Sequence, residues 1–123
     1  MKHLNILIVD DEKRYADMLA RRLTLRGLNC AVRYDGKTAL DIVKQEEFLL
    51  VILDLRLPDL YGTEVLARIK EHRPQTEVII LTAHGTDKDR ERCMAQGAYS
   101  FMNKPLDIDR LVSILDRIKA LKA

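Results

Sequence analysis

Five side chains in this sequence combine reactive chemistry with a recurring position: Asp10, Asp11, Asp54, Thr82 and Lys104. Each follows a short apolar run. LNILIV (residues 4–9) runs into Asp10, Asp11 and Glu12, LLVIL (49–53) stops at Asp54, VIIL (78–81) closes in Thr82, and YSFM (99–102) leads through Asn103 to Lys104 and Pro105. Gathered in one cleft, three carboxylates, a hydroxyl and an ammonium suit phosphoryl chemistry. Carboxylates that close repel, since two unit charges about 4 Å apart cost around 4 kcal/mol at an effective dielectric near 20. Lys104 supplies one neutralising charge. An oxygen-loving divalent ion would supply the rest, and Mg²⁺ suits carboxylates that leave room for waters and a phosphoryl oxygen.

Taken singly, each residue has a plainer explanation. Asp10 and Asp11 could be an acid pair at a helix start, favoured by the macrodipole, and Asp54 an acid that begins a turn. Thr82 could simply end a strand, and Lys104 could be a solvated surface lysine. Their recurrence after successive apolar runs argues against so many coincidences.

The elements that must position them are strands of a parallel sheet. The run at 49–53, rich in Val, Ile and Leu and followed by Pro58 and Gly62, reads as a strand buried on both faces. Between the runs the period turns helical. Residues 13–26 carry Ala16, Leu19, Ala20 and Leu23 on one face, with Arg14, Asp17, Arg21 and Arg22 largely outside it and Gly27 at the end. Helices follow at 35–46 (Ala39, Leu40 and Val43 inward), 63–71 (Val65, Leu66, Ile69), 86–96, which has few apolar residues, and 107–121. Residues 28–34 alternate weakly, as an edge strand does. Five strand-helix repeats predict an α/β fold, a doubly wound five-stranded parallel sheet with right-handed crossovers. In such sheets the carboxyl ends of the strands face the ligand crevice. Periodicity leaves the strand order open.

Composition narrows the class. The 123 residues predict one domain spanning 1–123, and 47% hydrophobic with 33% charged residues is globular rather than disordered. A net charge of +2, with 21 basic residues interspersed among 19 acidic ones, leaves no nucleic-acid footprint, so no direct nucleic-acid partner is expected. Cys30 and Cys93 lack metal-type spacing and read as inert core thiols in a reducing compartment. No apolar stretch is long enough for a signal peptide or a membrane span, and the expected location is cytoplasmic.

With Asp10 and Asp11, Asp54 followed by Pro58 and Gly62, Thr82 followed by Ala83, and Lys104 followed by Pro105, the chain resembles the receiver domain of two-component response regulators over essentially its whole length. The resemblance implies the (βα)5 flavodoxin-like fold with strand order 2-1-3-4-5. It implies that Asp54 is the phosphorylated nucleophile, receiving its phosphoryl group from a sensor histidine kinase or a phosphotransfer protein. Asp11 and Asp54 are then side-chain ligands of Mg²⁺, Asp10 orders outer-shell waters and the Arg56 backbone carbonyl completes the metal set. Lys104 and the ion carry the catalysis, Ala83 leaves the phosphoryl group a way in, Thr82 and Phe101 form the switch, and the Lys104–Pro105 bond is cis. Such a domain is a signalling switch that catalyses its own phosphorylation and dephosphorylation.

Four positions depart from the family pattern or stay open within it. Tyr61 stands where Asp, Asn or Ser often precedes the glycine, and a missing N-cap costs on the order of 1 kcal/mol. Phe101 has no hydroxyl for a hydrogen bond when turned out. Arg56 and His84 occupy the places that tune dephosphorylation in the family, or are simply solvated rim residues.

The last helix carries Ile108, Leu111, Val112 and Leu115 inward, while Ile114, Ile118 and Leu121 widen the stripe. Together with helix 86–96, this side is expected to serve a homodimer or an effector domain, unless the stripe is only a broad core edge. Residues 97–111 look most similar to receivers of regulators that activate transcription through an ATPase domain. A stand-alone domain and one excised from a larger protein both remain open.

Competing classes make different demands. A flavin module on this fold needs a Ser/Thr/Gly-rich phosphate cradle after the first strand, where Asp10, Asp11 and Glu12 would repel a phosphate. An aspartyl phosphatase usually has a second acid two residues after its nucleophile, where this chain has Arg56. A binding module without phosphorylation leaves the polar strand ends unexplained.

Overall fold

Ten elements alternate strictly between strand and helix in the structure, a computed structural model that describes residues 5–122. They are β1 (Asn5–Val9), α1 (Lys13–Leu25), β2 (Asn29–Arg33), α2 (Gly36–Gln45), β3 (Leu50–Leu53), α3 (Gly62–His72), β4 (Glu77–Thr82), α4 (Asp87–Ala95), β5 (Ser100–Asn103) and α5 (Ile108–Lys122). Leu4, expected in the first strand, lies outside the described residues. The strands form one parallel sheet in the order β2-β1-β3-β4-β5. This is the doubly wound order that the resemblance implied, with the stretch expected as an edge strand at one edge.

The period of two along each strand divides the core. Leu7 and Val9, Val51 and Leu53, Val78 and Ile80, and Phe101 face a layer with Ala39, Leu40 and Val43 of α2, Val65, Leu66 and Ile69 of α3, and Cys93 of α4. Ile6 and Ile8, Leu50 and Ile52, Ile79 and Leu81, and Met102 face the opposite layer, built with Ala16, Leu19 and Leu23 of α1 and Leu111, Ile114, Leu115 and Ile118 of α5. Strand β3 is buried along its whole length, so its apolar run is a consequence of having no solvent face. In the expected inward stripes, α1, α2 and α3 bury the same residues except for the half-buried Ala20.

Helix α5 corrects one expectation. Ile114 and Ile118 do not widen an outer stripe but are buried against the sheet, and Leu121 alone of the three stands out, at 77% exposed. The broad apolar arc is therefore mostly core edge. Helix α4 buries only Cys93 among its residues, as its sparse pattern implied.

Helix ends explain several boundaries. Gly27 and Gly97 follow α1 and α4 with φ of 84° and 99°, in the left-handed region that closes a helix. Tyr61 is the N-cap of α3 and makes no side-chain cap, as expected. At α2 the first-turn donors are all satisfied. Asp35 accepts from the Thr38 N–H, its carbonyl accepts from Ala39, and Asp59, from the β3–α3 loop, takes the N–H groups of Gly36 (2.8 Å) and Lys37 (2.9 Å). The cysteines are free thiols, and burial is the main cause holding both above the ordinary thiol range.

Candidate functional site

Register brings the polar strand ends together. Val9 pairs with Leu53 and Leu53 with Ile80, so Asp10 and Asp54 leave the sheet at the same level on adjacent strands. The ladder continues past the strand ends and fixes their backbones. Asp10 N–H donates to Arg33 O (3.1 Å), Asp54 N–H to Val9 O (2.9 Å) and Lys104 N–H to Thr82 O (2.9 Å). Strand β4 separates β5 from β3, so Lys104 must reach across roughly two strand spacings, about 9–10 Å, to meet Asp54. A lysine side chain is long enough to do so.

Its ammonium ends among three carboxylates. Lys104 Nζ lies 2.7 Å from Asp10 Oδ2, 2.7 Å from Glu12 Oε1 and 3.0 Å from Asp54 Oδ2. The side chains of Lys104, Asp10 and Asp54 are 9%, 5% and 7% exposed, whereas Glu12 is 60% exposed and forms the open side. Burial by itself would lower the Lys104 pKa, but hydrogen bonds to Asp10, Glu12 and Asp54 outweigh it and hold the amine charged far above neutrality. Burial raises the pKa of Asp10, only partly offset by its bonds to Lys104 and to the Glu12 N–H, while the nearby Asp54 charge adds to the rise. The site therefore holds more negative charge than one ammonium balances.

Ligand oxygens of Asp10, Glu12 and Asp54 all lie within 4.8 Å of one another. Hard carboxylate oxygens, two buried and one at an open rim, are a donor set that fits a divalent cation with room left for waters. Asp11 is exposed and stands outside this group; Glu12, expected only as part of an acidic loop, stands within it. A run of three acids gave no sign of which would turn inward.

The loop after Asp54 is closed on itself. Arg56 N–H donates to Asp54 Oδ1 (3.2 Å), Arg56 pairs with Tyr61 in a short antiparallel bridge, and Gly62 N–H donates to Leu55 O (2.9 Å). A Cβ at Gly62 would lie 2.4 Å from Leu55 Cα, so the loop cannot close this tightly around any other residue. The Arg56 side chain is exposed at the rim, as are Ala83 and His84. Thr82 is buried at the end of β4.

Phe101 is turned inward and 4% exposed. The Arg90 guanidinium lies 5.5 Å from its ring centroid and donates to its carbonyl at 3.3 Å, which ties α4 to β5. The Lys104–Pro105 bond is cis. Tyr15 of α1 also reaches the site, a contact that sequence reading missed. Its ring centroid lies 4.9 Å from Lys104 Nζ.

Comparison with known proteins matches this geometry to a family. The family model described as the response regulator receiver domain matches residues 6–116. The transcriptional regulatory protein GlrR of Escherichia coli (strain K12) is 36% identical over 115 residues, covering 94% of this chain and 26% of that protein. The chain likewise spans only 51% of the transcriptional regulatory protein YkoG of Bacillus subtilis (strain 168), to which it is 36% identical over 98% of its own length. Among solved structures, a CheY-like receiver domain from Methanospirillum hungatei JF-1 superposes with a TM-score of 0.92 at 26% identity, covering 98% of both chains. The receiver domain of NtrX from Brucella abortus superposes at 0.84 with 32% identity, covering 92% of this chain and 96% of that one. No described helix is long and apolar enough to cross a membrane. With its five-strand topology, its buried lysine-bridged acidic cluster and a family match over nearly its full length, the chain belongs to the response regulator receiver domains and is a phosphoryl-accepting signalling switch.

Proposed function

We propose that Asp54 is the phosphoryl acceptor and that residues 1–123 act as one receiver unit. One observation carries the reading: a buried carboxylate at the end of the central strand has one oxygen 3.0 Å from a buried ammonium and the other 3.2 Å from a backbone N–H. An Asp54 oxygen attacks phosphorus as the bond from phosphorus to a phosphohistidine nitrogen of the partner kinase or phosphotransfer protein breaks. Lys104 holds a fixed positive charge where negative charge gathers on the transferring group, the preorganised electrostatics on which phosphoryl transfer depends. Asp10, Asp54 and the rim carboxylate of Glu12 would hold Mg²⁺; the resemblance adds the Arg56 carbonyl and Asp11, which is exposed and would have to turn inward to join them. The ion supplies charge neutralisation of the phosphoryl oxygens when bound.

The switch follows from the product. A phosphorylated Asp54 offers new acceptor oxygens to the Thr82 hydroxyl and the Lys104 ammonium. Thr82 drawn toward them, with Phe101 beside it, changes the face made by α4, β5 and α5, where a homodimer or an effector domain would dock. Transcription is the output we favour, supported by relatives named as transcriptional regulators. The cytoplasm is the proposed location.

The test is intact mass after incubation with a small acyl phosphate and Mg²⁺, for wild type and Asp54→Ala. A single base-labile phosphoryl adduct on wild type, not formed when a chelator replaces Mg²⁺ and absent from the variant, is expected. A folded wild type that acquires no adduct would overturn the assignment.

A further inference from the structure

Lys104 is held from two sides. Three carboxylates surround its ammonium on one side, and on another lies the ring of Tyr15, at 4.9 Å. The same tyrosine's hydroxyl oxygen accepts the backbone N–H of Leu106 at 3.0 Å, two residues beyond the lysine and just past the cis bond. One side chain thus touches both the cation and the loop that carries it. Tyr15 reaches there because it flanks the buried stripe Ala16, Leu19 and Leu23 in the first turn of α1, the end of the helix that lies at the carboxyl edge of the sheet.

We infer that Tyr15 is a positioning residue for Lys104: its ring face and hydroxyl fix the approach of the ammonium to the acceptor oxygen of Asp54. This rests on the roles given above to Asp54 and Lys104. A lysine is a flexible four-carbon stem ending in a strongly hydrated point charge. Stretched across β4 toward Asp54, it needs a wall to keep the charge in one place. An aromatic face attracts a cation through its quadrupole, most strongly where water is excluded, and the Lys104 side chain is only 9% exposed. The hydroxyl tether sets the height of the loop from which the stem departs.

Two variants separate the two functions of the side chain. Tyr15→Phe keeps the ring and removes the tether; Tyr15→Leu removes both. The first readout is the NMR shift of the Lys104 side-chain methylene protons next to Nζ in metal-free, unphosphorylated protein. A ring-current displacement is expected in wild type and Tyr15→Phe and absent in Tyr15→Leu. The second is the rate of adduct formation from a small acyl phosphate at saturating Mg²⁺, measured where each variant is fully folded. A drop of about three- to thirtyfold is expected for Tyr15→Leu, the range that cation–π contacts from exposed to desolvated convert to, with a smaller drop for Tyr15→Phe. Unshifted Lys104 protons in wild type would overturn the inference without any variant, as would a folded Tyr15→Leu that reacts at the wild-type rate. Ring-shifted protons in a wild type that forms no adduct would instead refute the assignment of Asp54, with the placement of Lys104 intact.

Discussion

Replacing Lys104 by methionine keeps an unbranched stem and removes the one charge shared by Asp10, Glu12 and Asp54. Glu12 is open to water and loses little. Asp10 and Asp54 are buried and are left as neighbouring carboxylates without a cation. Breaking a buried pair by removing one partner costs about 3–5 kcal/mol. Protonation offers an escape at a similar cost. Binding a proton at pH 7 to a carboxyl of ordinary pKa near 4 costs about 4 kcal/mol, one pKa unit being worth about 1.36 kcal/mol. The two routes agree, so Lys104→Met should lower stability by about 4 kcal/mol in metal-free buffer at pH 7. For a domain of this size that is roughly 12–20 °C in Tm.

The sign with pH follows from the proton. In the variant the retained carboxyl has a folded pKa above its unfolded value, so the folded state binds more protons and the penalty shrinks as pH falls from 7 toward about 4. A divalent ion should do the same work at constant pH by binding the uncompensated carboxylates of the variant more tightly than the Lys104-occupied site of the wild type, a roughly hundredfold difference in Kd narrowing the gap at excess ion by about 2.7 kcal/mol. Thermal unfolding followed by circular dichroism, with and without excess Mg²⁺ at pH 7 and pH 5, measures all three effects. A metal-free gap below about 1 kcal/mol, or a larger gap that neither acid nor Mg²⁺ narrows, would refute the charge-balance argument.

Asp59→Ala removes the acceptor for two first-turn N–H groups of α2 and should cost about 1 kcal/mol in denaturant titrations, near the ordinary value of a cap because the group is exposed. The slight burial of Asp59 would raise its pKa, but the backbone N–H groups of Gly36 and Lys37, with its own and that of Leu60, outweigh it and hold the carboxyl below the usual range. Its contribution is therefore present above the unfolded pKa of about 3.9 and lost as pH falls through the lower folded value, so wild type and variant should converge in acid. An undiminished gap at the lowest pH at which both remain folded would contradict this. At Gly85, a Cβ would lie 2.5 Å from Phe101 Cε1 and Cζ. Gly85→Ala should displace that ring or cost about 1–3 kcal/mol as overpacking, read from Tm and from nuclear Overhauser contacts between the Phe101 ring and Thr82. Wild-type stability with the ring contacts unchanged would show that Phe101 is not held against Gly85.

Much of the molecule was legible in the chain because its signals are periodic and local. The apolar run at 49–53 forecast a strand without a solvent face, and β3 has none. The helical stripes forecast which faces of α1, α2 and α3 are buried. Alternation of strand and helix forecast a parallel sheet, and that alone brings residues 10, 54, 82 and 104 to one edge. These conclusions follow from backbone geometry repeated every two or 3.6 residues, which leaves its imprint in the order of side chains.

Other features were decided by contacts between segments remote in sequence, which leave no such imprint. Strand order came from family resemblance, because β1 neighbouring both β2 and β3 depends on how crossovers pack rather than on any one segment. That Glu12 rather than Asp11 meets Lys104 depends on which way one loop turns after Asp10. The apolar width of α5 reads the same whether Ile114 and Ile118 face a partner or the sheet, and only the tertiary packing buries them. Asp59 caps a helix 22 residues before it, and Tyr15 meets a loop 91 residues after it. Residue types and spacing thus determined what chemistry the site contains, whereas the packing of α1 and the loops against the carboxyl edge of the sheet determined which side chains aim it.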